Sequence, residues 1–147
     1  MDEMFLNGHA ESIPDDEHVL QNEKSGRVWY LPHFGVENPN KPGKVRVIFD
    51  CAAKFRGISL NDKLMSGPDL TNSLIGVLLR FRLERYAFMA DIKGMFHQVH
   101  VNEKDRDYLR FLWYENGKID NEIQTYRMTV HLFGASSSPS CSSFALR

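Results

Sequence analysis

The sequence predicts an α+β domain. Three observations carry this: short alternating or continuous apolar runs with strand character, one longer stretch with helical apolar spacing, and an Asn-Gly turn between two strand-like runs. At 147 residues, with 42% apolar and 12% aromatic side chains, the chain suits one domain with a core of its own. No internal repeat is present.

Taken in order, "SIPDDEHVLQNE" is polar and reads as a short helix or loop, and "RVWYLPHFGV" reads as a strand interrupted at Pro32. "NPNKPG" is a turn, after which "KVRVIFD" alternates basic and apolar residues as a half-exposed strand does. Between Asp69 and Leu83, the residues Leu70, Leu74, Val77, Leu78 and Phe81 recur at helical spacing behind a "GPD" start signal, which predicts a helix over about 69–83. Ala87 to Ala90 form a short apolar run of the kind expected of a strand covered on both faces. "YLRFLWYENGKIDNEIQTYRM" reads as two strands joined through Asn116-Gly117 and a polar loop, and "LFGASSSPSCSSFALR" as a Gly/Ser loop entering a helix at Pro139.

Charge divides the chain unevenly. Residues 1–24 hold seven acids (Asp2, Glu3, Glu11, Asp15, Asp16, Glu17 and Glu23) against Lys24, so the remainder carries 17 basic and 12 acidic residues beneath a net charge of -1. Lys41, Lys44, Arg46, Lys54 and Arg56 face only Asp50 over one stretch. A polyanion partner and an ordinary solvated face both fit that cluster. Arg80, Arg82 and Arg85 fit the wet side of the helix. No apolar run approaches the ~20 residues needed to span a bilayer, and the N-terminus has no signal-peptide pattern, so an intracellular protein with no membrane partner is expected. Cys51 and Cys141, with no CxxC pair, argue against a disulfide framework or a zinc site.

Asp91 closes the apolar run and raises the sharpest question. A carboxylate at the end of a buried strand is costly unless paired. It is either a cap of the next element or a metal ligand at a sheet rim. Four ordered blocks bear on the choice: "YLPHFGV" (30–36), "KVRVIFD" with "SLND" (44–50 and 59–62), "ADIKGMFHQV" (90–99), and "YRMTVHLFGASSSP" (126–139). Together with "SGPDLTNSLIGVLLRFR" and "DRDYLRFLW", they resemble the reverse transcriptases of long-terminal-repeat retrotransposons, closest to the BEL/Pao group. The resemblance starts at about residue 28. It divides the chain into an acidic N-terminal segment, 1–27, and a fingers-and-palm fragment, 28–147.

The resemblance implies a partial polymerase palm, an antiparallel sheet with packed helices and Asp91 at its rim, with the 69–83 helix behind it and a fingers extension over 28–62. It implies that Asp91 and the carbonyl of Ile92 bind magnesium (Mg2+), a cation that needs hard oxygen ligands and that works in pairs in phosphoryl transfer. Phe96 matches the aromatic gate beneath the sugar, which excludes a ribose 2′-hydroxyl by collision. Arg46 matches the arginine that grips the incoming triphosphate, and Lys44 either assists it or lies on a solvated face. Phe133, Gly134 and Ala135 match the loop beside nucleotide and template, where a missing side chain permits close approach. Ser136, Ser137 and Ser138 either bond to template or primer phosphates or cap the following helix. The implied partners are an RNA/DNA template-primer, deoxynucleoside triphosphates and the remainder of a retrotransposon polyprotein. The implied place is the cytoplasm or a virus-like particle, with the nucleus as an alternative.

One departure from the family matters. Its second metal-binding motif, an aromatic-x-Asp-Asp turn, does not occur after Gly134, and the adjacent pair Asp15-Asp16 lies far upstream. The expectation is a polymerase fragment that is inactive alone, poorly soluble because of an unpaired sheet edge. The alternative is a non-enzymatic remnant acting as a nucleic-acid-binding or interaction module. A metal hydrolase built on His97, His100 and His131 is disfavoured, because "HQVH" in a strand turns its two histidines to opposite faces.

Overall fold

A computed structural model describes residues 1–13, 17–39 and 41–147, without the side chains of Glu17, His18, Asn38, Lys41 and Lys44. Asp15-Asp16 lies outside the described residues. The chain is a mixture of helices and antiparallel sheets, α+β as expected. A three-stranded sheet contains β1 (Ala10–Ser12), β4 (Arg110–Tyr114) and β5 (Ile123–Met128) in the order β1-β5-β4, and β2 (His33–Asn38) and β3 (Lys41–Phe49) form a separate antiparallel ribbon.

The β4–β5 hairpin follows from local chemistry. Asn116 and Gly117 take left-handed backbone angles, φ 53° and 70°, which these two residues tolerate. Glu115 N–H donates to the Glu122 carbonyl to close the loop. Across the hairpin Phe111 opposes Tyr126. Phe111 is fully buried, edge-on to Phe49 at 5.1 Å, which ties the ribbon to the sheet. Of the strand expected through Pro32, only the part after it forms, as β2; before it, Tyr30 makes one isolated bridge to Arg110 and Leu31 N–H donates to the Arg110 carbonyl.

The first residues are part of this sheet. β1 pairs with β5 so that Ala10 faces Met128 and Ser12 faces Tyr126. Phe5, from α1 (Asp2–Leu6), lies edge-on to Tyr126 at 4.9 Å. Beneath β1 and α2 (Glu17–Lys24) runs an ion network centred on Asp107, which is fully buried. Asp107 accepts from Asn22 Nδ2 at 2.8 Å, Arg110 Nε at 3.1 Å and Arg127 Nη1 at 3.2 Å. Glu11 accepts from Arg106 at 3.2 Å and Arg127 Nε at 2.7 Å, and Glu23 accepts from Arg110 Nη1 at 2.5 Å. The acids of the N-terminal segment thus neutralise arginines of the sheet. A buried guanidinium requires such partners.

Two expected elements differ. Ala87 to Ala90 do not form a buried strand: the segment has no regular structure, and Phe88 and Met89 are 92% and 93% exposed. The reason is the hydrogen-bond ladder. No neighbouring strand pairs with this run among the described residues, and an apolar run without a partner strand cannot satisfy its backbone in a sheet. The helix expected over 69–83 is shorter, α3 (Leu74–Phe81), and none of its residues is buried, so it is not packed behind a sheet. Asp69 does not start it. Its carboxylate accepts from Thr71 N–H at 2.9 Å and Thr71 Oγ1 at 2.6 Å, which closes a turn ahead of the helix. The last helix, α4 (Ser138–Ala145), begins with Pro139 in its first turn, where a missing N–H costs nothing. No helix of the described residues is long and apolar enough to cross a membrane.

Candidate nucleotide-binding and metal site

The residues singled out by the sequence fall into one assembled group and two separate positions. Phe96 sits in a 3₁₀ turn, Met95–Gln98, introduced by Gly94 at φ 59°. Its ring lies against Phe133 at 4.6 Å, inclined by 53°. The next residue, Gly134, adopts φ 98°, and a Cβ placed there would stand 3.3 Å from the carbonyl oxygen of Phe49 at the end of β3. A side chain there is disfavoured on both counts: the positive φ suits glycine, and a Cβ would press on the Phe49 carbonyl.

Asn61 holds this loop in place. Its Nδ2 donates to the Gly134 carbonyl at 2.9 Å, and its Oδ1 accepts from Ser136 N–H at 2.9 Å, so one side-chain amide satisfies two loop backbone groups. Asn61 itself is fixed by a tight turn. Ser59 N–H donates to Asp62 Oδ2 at 2.8 Å, and Asp62 N–H to Ser59 Oγ at 3.2 Å. The Ser59 contacts, backbone first and hydroxyl second, hold the Asp62 carboxyl below its usual range. Sequence reasoning did not single out Asn61, although it lies within "SLND"; an amide between two turn-forming residues was the available signal.

The three serines behave differently from one another. Ser138 is buried, with its hydroxyl 3.4 Å from His131 Nδ1. Ser137 stands at the N-terminus of α4 without a side-chain capping bond, and Ser136 Oγ has no partner among the described residues. Ser136 also lines a cleft of about 240 Å³ with Ser66, Asp69, Thr71, Ser140 and Ser143.

Arg46 lies on β3 opposite Val36 and is exposed, three positions before the Phe49 carbonyl that meets Gly134. Lys44 is on the same strand, with its side chain outside the description. Lys54 and Arg56 are exposed. The guanidinium of Arg56 stands over the Phe55 ring at 5.3 Å from its centroid.

Asp91 and Ile92 are exposed in the segment without regular structure, not at a sheet rim. They offer one carboxylate and one carbonyl. Among the described residues no three His, Cys, Asp or Glu side chains come together in a way that could hold a metal ion. A pair of magnesium ions needs more anionic oxygen than this, so these residues alone do not fit a two-ion site. His97 lies in the 3₁₀ turn, and His100 makes an isolated antiparallel bridge to Val130. The 3₁₀ turn brings His97 to 4.9 Å from His9, and His100 acts electrostatically on the same His9.

Compared with known proteins, the sequence matches no family model, and no curated protein matches it.

Proposed function

We propose that this chain is the fingers-and-palm part of an RNA-directed DNA polymerase of a long-terminal-repeat retrotransposon, binding template-primer and deoxynucleoside triphosphate. The reading rests on the resemblance of its ordered sequence blocks. The structural observation that supports it most is the meeting of three of those blocks: Phe96 packs on Phe133, and Gly134 abuts the end of the strand that carries Arg46. In this reading the permanently charged, planar guanidinium of Arg46 grips the triphosphate. The Phe96 ring lies under the sugar and leaves no room for a 2′-hydroxyl. Gly134 lets the nucleotide or template approach the backbone. Asp91 supplies the first of several carboxylates, the others coming from an aromatic-x-Asp-Asp turn in a longer protein.

The test is primer extension by the 147-residue chain and by a longer protein that continues it through that turn. Extension is expected only from the longer protein. There Asp91→Asn should reduce it at least a hundredfold, since a metal ligand contributes several kcal/mol to the transition state and about 1.4 kcal/mol is tenfold in rate. Template-primer binding should change little, because phosphate contacts by basic residues dominate it. Extension that survives Asp91→Asn would remove Asp91 from the site. Binding without any extension in the longer protein would instead leave a nucleic-acid-binding module.

A further inference from the structure

The N-terminal segment meets the Phe96 turn through two histidines. The rings of His9 and His97 stand 4.9 Å apart, inclined by 47°, and His97 lies edge-on to Phe133 at 5.3 Å. His9 is held where the segment joins the sheet: Thr129 N–H donates to the His9 carbonyl at 2.9 Å, and the Thr129 hydroxyl donates to the Gly8 carbonyl at 2.6 Å. Both rings are part-buried. Packed together as neutral imidazoles they are compatible, whereas two imidazolium ions at this distance repel in surroundings that hydrate them poorly.

We propose that His9 and His97 form a proton-operated latch, which holds the N-terminal segment against the Met95–Gln98 turn while the rings are neutral and releases it when both are protonated. The latch stands independently of the polymerase reading. Burial, first, and the neighbouring histidine, second, hold both pKa values below the ordinary 6.5: His100 acts on His9, and His9 on His97. A histidine whose folded-state pKa is depressed stabilises the closed contact fully above its ordinary value. That stabilisation is lost as pH falls below 6.5 and through the folded-state value.

The charged and titratable groups on the elements around the pair are these. Glu11 of β1 is bonded to Arg106 and Arg127, and Arg127 of β5 also to Asp107. Asp2 and Glu3 are in the first turn of α1, and α4, which packs on the Met95–Gln98 turn, carries Cys141 as its one titratable side chain. Lys93 precedes the turn, and its carbonyl accepts from Gln98 Nε2.

The experiment is a pH titration of the intact 147-residue chain, following the histidine ring protons by NMR and the hydrogen-exchange protection factor of the Thr129 amide between pH 7.5 and 5.5. The Thr129 protection factor should fall by about tenfold for each unit by which a pKa of the pair lies below its ordinary value. In His97→Gln the fall should be largely lost, and in His9→Gln the His97 pKa should rise. Three results would each overturn the proposal: Thr129 protection independent of pH in the wild type, the same fall in His97→Gln, or a His97 titration unchanged by His9→Gln. Should either variant fail to fold, the wild-type titration still decides, because a His97 that titrates at or above 6.5 is incompatible with the latch.

Discussion

Asp107→Asn should have a large effect on folding. Asp107 and Arg110 are both 0% exposed, and Asp107 receives bonds from Asn22, Arg110 and Arg127. Asparagine preserves the size and one acceptor oxygen but removes the charge, and its amide group points N–H donors toward guanidinium or amide donors. Arg110 then retains Glu23, and Arg127 retains Glu11, both on the N-terminal segment. Breaking one member out of a buried ion pair costs roughly 3–5 kcal/mol. The two remaining glutamates place the expected loss near the lower end, about 3 kcal/mol. Against a typical domain stability of about 5–15 kcal/mol this is a large fraction. With a urea slope of about 1–3 kcal/mol/M, the unfolding midpoint at pH 7 should move down by about 1–3 M. A loss below about 1 kcal/mol would refute the reasoning and mean that the glutamates alone neutralise the arginines. The pH dependence gives a second check. Although burial opposes it, the bonds from Asn22 and the arginines hold the Asp107 carboxyl below its ordinary 3.8. The wild type should therefore keep this stabilisation above pH 3.8 and lose it as pH falls through the folded-state value, and Asp107→Asn should flatten that part of the acid-unfolding curve.

Gly134→Ala meets both a left-handed φ of 98° and the Phe49 carbonyl at 3.3 Å, and should cost about 1–3 kcal/mol in thermal or urea unfolding. Asn61→Ala removes two hydrogen bonds to the same loop, and at about 0.5–1.5 kcal/mol each the loss should be about 1–2 kcal/mol once partial exposure is counted; exchange of the Ser136 amide should accelerate in parallel. Cys51 is buried, and burial, followed by the nearby Asp50 charge, pushes its thiol up to about 11. In the native chain at pH 8 it should resist iodoacetamide, as shown by peptide mass mapping, and it should react once urea has unfolded the protein.

What the sequence made legible was local. Asn116-Gly117 between two strand-like runs identified the hairpin because the turn residues fix their own backbone angles, and Pro139 marked the start of α4 for the same kind of reason. Apolar pattern alone was insufficient for Leu74–Phe81 and Ala87–Ala90. Spacing shows which side chains are apolar, and it carries no information about what covers them, so an exposed helix and an exposed extended run look like buried ones. β1 was missed because "AES" is short and polar, and its place depends on Glu11 reaching arginines far along the chain. In the candidate site, the neighbourhood of Phe96, Phe133 and Gly134 was indicated only by resemblance to a family, and Asn61, which holds that loop, was overlooked among turn residues. The histidine contact was hidden because His97 follows Gly94 into a 3₁₀ turn, and its partner lies near the opposite end of the sequence.

The order of strands β1-β5-β4 sets a timetable for the chain as it is made. Ala10 leaves the ribosome well before its partner Met128, which lies 118 residues later. At translation rates of about 5–20 residues per second, the interval is roughly 6–24 s. The β4–β5 hairpin can form within microseconds once both its strands have emerged, so the edge of β5 is built before the waiting N-terminal strand docks on it. Closing a loop of this length costs chain entropy before the final pairing rewards it. Until then Glu11 and Glu23 remain hydrated, and Arg110 and Arg127 lack their N-terminal carboxylates while keeping Asp107. The last strand to join is therefore the earliest made of the three in this sheet, and any factor that sequesters residues 1–24 during synthesis leaves the sheet with an open edge and an excess of positive charge.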